Sequence, residues 1–135
     1  MAEPVSAALM IIPSLIIGGA IGIIELIFVH ADEAGMGWIM HGLHAIPATI
    51  FFTFISMNIS WTLSFFNLPF TKNIMVILGI RAVVAIIAML KISAAAAIAG
   101  RVGEKFVHTF IIGVLIFVAP YAWPFIATFL PKSLK

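Results

Sequence analysis

Residues 7–29 read AALMIIPSLIIGGAIGIIELIFV, and only Ser14 and Glu25 among them are polar. A hydrocarbon core about 30 Å thick is crossed by about 17–25 helical residues, so this stretch predicts a transmembrane helix. Only Glu3 precedes it where a cleavable leader would carry Lys or Arg, and the segment is therefore expected to be retained. Three further apolar blocks follow, at residues 38–66, 74–98 and 106–130. The expected fold is all-α, an integral membrane bundle of four transmembrane helices with short loops, forming a single domain over residues 1–135.

Composition leads to the same class. Of the 135 residues, 64% are hydrophobic and 9% charged, against about 45–50% and 25% in soluble domains. A water-soluble fold has no means of hiding that excess. There is no cysteine, which removes disulfides and thiolate chemistry together. The net charge of +2 is scattered over loops and tail, which is no nucleic-acid footprint.

The second block is longer than a span requires, and Pro47 offers a reason, because it withdraws a backbone donor and its ring clashes with the preceding turn. Residues 38–66 are accordingly expected to kink at Pro47, and Pro120 and Pro124 to bend or fray the fourth span. Trp38, Trp61, Tyr121 and Trp123 fall near span ends, where aromatic belts sit. The positive charges divide evenly between the two faces. The first loop is acidic and has no Lys or Arg, which leans the termini toward the cytoplasm, with the plasma membrane as the expected location.

Depth assignment gathers the chemistry at one end. Glu25, His30, Asp32, Glu33, His41, His44, Lys91, Arg101, Glu104, Lys105 and His108 all fall on the face that carries the first and third connections. Glu25 and Arg81 are the charges most clearly inside apolar runs, and an ionisable group at such depth usually faces a cavity or a partner. Their levels differ, since Glu25 is about 12 Å from the centre of its span at 1.5 Å per residue and Arg81 is near the midplane. Lys91 is the better level match for Glu25, with His44 or His108 as competitors. No acidic residue shares the level of Arg81, which suggests an oligomer or a larger membrane complex.

Helix faces add three stripes at 100° per residue. Ser14, Gly18, Gly22, Glu25 and Asp32 share one arc of span one, with Gly18 and Gly22 at the spacing that lets helices pack closely. Thr49, Thr53, Ser56, Ser60 and Ser64 share a face of span two, and Arg81, Ala85, Ala88, Ala95 and Ala99 a face of span three. The hydroxyl stripe has two readings, hydrogen bonds to backbone within a packed interface or a wetted seam for an ion, proton or small solute.

His41, His44 and His108 invite a metal site with Glu25, Asp32 or Glu33 as oxygen donors, or a haem held axially by His108 with either His41 or His44. Interfacial histidines bonded to backbone or headgroups are the plain alternative. No phosphate loop, nucleophile elbow or zincin motif is present, and little chain is left to build a substrate pocket, so an independent enzyme is not expected. Three functions remain. One is an oligomeric channel or transport component for a small cation or proton, using Glu25, Arg81, Lys91, Thr49, Thr53, Ser56 and Ser60. The others are a non-catalytic small subunit or scaffold of a larger membrane complex, and a metal- or haem-binding redox protein. Besides the lipid bilayer, the expected partners are further copies of the chain or other membrane subunits.

Overall fold

Hydrocarbon offers no water to exposed amides, so a chain this apolar must satisfy its backbone internally, and helices do that within each segment. The computed structural model describes residues 8–33, 35, 37–98 and 104–135, without the side chains of residues 95–98. The described chain is all-helical, with α1 at Ile11–Asp32, α2 at Trp38–Met57, α3 at Ile59–Phe65, α4 at Ile74–Ile98 and α5 at Phe106–Thr128. Four stretches are long and apolar enough to span a membrane: α1, α2, Ile74–Ala94 of α4, and α5. The protein is a four-helix membrane bundle. The turn expected around Gly100, Arg101 and Gly103, Ala99, and the side chain of Ala95 lie outside the described residues.

Local sequence explains several boundaries. Pro13 occupies the first turn of α1, where its missing N–H is no loss. Asn73 caps α4, its Oδ1 accepting from the backbone N–H of Met75 at 3.0 Å and of Val76 at 3.3 Å. α1 extends beyond the expected residue 29, so Asp32 belongs to the helix.

α2 runs as a helix through Pro47, which lies on an exposed face, and ends at Met57, where Asn58 separates it from α3. Asn58 Nδ2 donates to the Phe54 carbonyl at 2.8 Å and to Ser14 Oγ at 3.3 Å, while its Oδ1 accepts from the Met10 N–H at 2.6 Å. An Asn amide competes with the backbone ladder, and here it ties the break to the start of α1. α5 likewise continues through Pro120 and Pro124 to Thr128.

α1 packs most extensively on α2, and α5 touches α1, α2 and α4. The core between them is Ile17, Ile21, Phe52, Met57, Ala88, Ile92, Ile112, Ile116, Ala119 and Trp123. At the α1–α2 crossing the backbones nearly touch. A Cβ on Gly18 would stand 2.7 Å from Ile50 Cα, and one on Gly22 would stand 2.6 Å from Thr49 Oγ1 and 2.9 Å from Ile46 Cα. Gly19 faces open space. Gly18→Ala is therefore expected to destabilise the bundle by about 1–3 kcal/mol through overpacking. Gly19→Ala should leave it unchanged or slightly firmer, and SDS titration of the helical circular dichroism signal measures both.

Candidate functional site

The close crossing of α1 and α2 sets the level of everything beyond it. Glu25 follows Gly22 on the packed face of α1, and His41 lies on the packed face of α2. The connection before α5 returns to the same end of the bundle. There the backbone N–H of Lys105 donates to Asp32 Oδ2 at 3.0 Å, and His108 Nδ1 lies 2.6 Å from the same oxygen.

Two clusters of ionisable side chains result. In the first, Glu25 meets Glu104 within hydrogen-bonding reach, and both are out of solvent, at 2% and 8% exposure. Neither oxygen of Glu104, nor Oε2 of Glu25, meets an N–H or O–H donor. Two carboxylates so placed repel unless a proton or another cation lies between them. Burial and the Glu25 carboxyl beside it push Glu104 up to about 9. Asp32 stands alongside, with Lys105 Nζ 3.3 Å from its Oδ1. His108 donates through Nδ1 to Asp32 and stacks on Phe28 with centroids 4.3 Å apart, which in the neutral ring leaves Nε2 as an acceptor.

In the second cluster, His41 is buried with Nε2 3.5 Å from Glu33 Oε2 and Nδ1 3.1 Å from His30 Nδ1. Donation from His30 to His41 Nδ1 places the His41 proton on Nε2, toward Glu33. His30 in turn stacks on Trp38 at 3.7 Å between centroids.

The three histidines singled out in the sequence do not converge. His44 is exposed and bonded to its own helix at the Met40 carbonyl, His41 belongs to the Glu33 cluster, and His108 belongs to Asp32. Among the described residues, the one group of three potential ligands is Asp32, Glu104 and His108, each offering an atom within 4.8 Å of the others. Lys91 is exposed, and no ion pair joins it to Glu25 among the described residues. Glu104 was placed on this face by depth alone. No periodicity marks it, because it lies outside the helices, two residues before α5.

Deeper in the bundle, the hydroxyl stripe is packed. Thr49 Oγ1 donates among the carbonyls of Gly18, Ala45 and Ile46 at 3.0–3.1 Å, and Ser56 Oγ donates to the Ile116 carbonyl at 2.7 Å. Thr53 is fully buried and its hydroxyl meets no partner. Ser60 is half-buried, and Ser64 is exposed and bonded to the Trp61 carbonyl. Arg81, 2% exposed, donates through Nε to the Ser56 carbonyl at 3.2 Å and through Nη1 to Tyr121 Oη at 2.6 Å. Its guanidinium also lies 5.1 Å from the Tyr121 ring centroid. These polar partners are intramolecular, so Arg81 itself lends no support to the oligomer expected from an arginine without an acidic neighbour. Tyr121, read from sequence as a belt residue, helps to clasp it.

The chain matches no family model, no curated protein and no solved structure.

Glu104 holds its proton to about pH 9 in the fold, against an ordinary value of 4.5. The unfolded chain releases that proton first, so Glu104 makes stability fall as pH rises from about 4.5 to about 9. In chelator-containing detergent buffer, thermal midpoints at pH 5 and pH 8.5 are expected to show this fall, and Glu104→Gln to flatten it. Tyr121→Phe removes a hydrogen bond to a buried guanidinium and is expected to cost about 1.5–3 kcal/mol in the SDS titration.

Proposed function

We propose that this chain is a small-cation transport component, and that the acidic and imidazole side chains at the connection-bearing face are where the cation is recognised. The observation that carries the reading is the Glu25–Glu104 contact, one carboxyl from α1 and one from the residue two before α5, brought together out of water with no donor among the described residues. Such a pair favours a proton or metal cation between its oxygens. Carboxylates with no ligand to hold would more readily extend to the nearby interface, as flexible charged side chains do near helix ends.

A polar line leads inward from this face. It runs from Glu25 past Thr49, Thr53 and Ser56 to Arg81 and Tyr121, with Thr53 unbonded midway. The Thr49 and Ser56 hydroxyls along it are bonded to carbonyls, and the Arg81 guanidinium sets a positive barrier to cations at its inner part. Transport on this reading needs a rearrangement that loosens the α1–α2–α5 contact. The acidic first loop leans the termini to the cytoplasm, so the site collects cations from the outer side of a plasma membrane.

The test is flux in proteoliposomes, with dyes inside reporting protons and divalent cations separately. The wild type is expected to pass one of these above empty liposomes. Glu25→Gln and Glu104→Gln should lower that rate about ten-fold or more, and Arg81→Gln should raise the leak. Wild-type rates equal to those of empty liposomes for every cation overturn the reading.

A further inference from the structure

We propose that Asp32, Glu104 and His108, with Glu25 as a fourth donor, form a binding site for a divalent first-row transition-metal cation. The proposal deepens the transport reading by naming the cation class, although the binding itself stands on its own geometry. Three ligand atoms lie within 4.8 Å of one another, from the last residue of α1, the residue two before α5, and the first turn of α5. Donors on a cation with bonds of about 2.0–2.2 Å are about 3–3.5 Å apart, so a side-chain contraction of about 1 Å closes the site.

The donor chemistry narrows the cation. Carboxylate oxygens with one imidazole suit zinc, manganese or iron, whereas calcium takes six to eight oxygens. The Glu104 carboxylate is more than nine-tenths buried, points at Glu25, and has no donor on either oxygen. Glu25 Oε2 is buried and equally without a donor. A divalent cation between them supplies what no donor among the described residues does. Asp32 Oδ2 lies 2.6 Å from His108 Nδ1, so the oxygen and nitrogen that share a proton in the metal-free fold are the pair between which a cation takes that proton's place. Lys105 Nζ, 3.3 Å from Asp32 Oδ1, is on a side chain 72% exposed and is free to swing into solvent when a cation enters.

The detergent-purified full chain, stripped with chelator, is titrated calorimetrically with ZnCl2 and with MnCl2. One equivalent of Zn2+ is expected to bind, with Mn2+ binding more weakly at the same site. Glu104→Gln and Asp32→Asn should each weaken Zn2+ by about ten-fold or more. His44→Ala, an exposed histidine of the same face, should bind as the wild type does. The visible spectrum of the wild type loaded with Co2+ gives a readout that needs no variant: an intense band from a low-symmetry nitrogen and oxygen site supports the proposal. Unsaturable Zn2+ binding in the wild type, an aqueous Co2+ spectrum, or equal affinity in Glu104→Gln overturns it. Saturable Zn2+ binding with no cation flux overturns transport and leaves the metal site standing. Proton flux lost in Glu25→Gln, with no Zn2+ bound by the wild type, overturns the metal site and leaves transport standing.

Discussion

The close crossing of α1 and α2 is the constraint on which the rest of the bundle depends. Gly18 and Gly22 have no side chain to hold the backbones apart, and Ile46, Thr49 and Ile50 fill the space that a Cβ would need. Without a hydrophobic force between helices in lipid, contact of this kind and buried hydrogen bonds are what bind spans together. The crossing also fixes register. It sets Glu25 and Asp32 at the level where α5 begins, and His41 beside Glu33. The two clusters are thus a consequence of small residues placed several positions earlier in the chain.

The bundle is polarised along its axis. Carboxyl and imidazole groups crowd one end, fully packed hydroxyls occupy the middle, and a clasped guanidinium lies further in. The hydroxyls of Thr49 and Ser56 bond to carbonyls, including those of Gly18 and Ile116 on neighbouring helices. They therefore act as interhelical ties in the packed state. The two readings of that stripe are compatible only if the ties open, which makes the Thr53 hydroxyl, buried and unbonded, the weak point of the seam.

Much of the architecture was legible in composition alone, because four apolar blocks of span length leave few alternatives. Boundaries and breaks were less so. Pro47 is the stronger helix breaker by propensity, yet its ring faces outward and α2 absorbs it, while Asn58 breaks the helix through bonds to Met10 and Ser14 that no local pattern reveals. The busy face was legible from depth, and so was the mismatch between Glu25 and Arg81. The pairings were not. Lys91 is exposed, and the neighbour of Glu25 is Glu104, which lies outside the helices where periodicity cannot mark it. For Arg81, the search for an acidic partner overlooked a carbonyl and a phenol, both of which accept from its guanidinium.

The central claim is that Glu25 and Glu104 form one buried carboxyl pair closed by a cation. Infrared difference spectroscopy of the metal-free protein at neutral pH tests it directly, by following the carbonyl stretch of protonated carboxylic acids. The account predicts a protonated-acid band that disappears in Glu104→Gln and on addition of Zn2+. A spectrum with no such band, or a band unaltered by both the substitution and the metal, would contradict it.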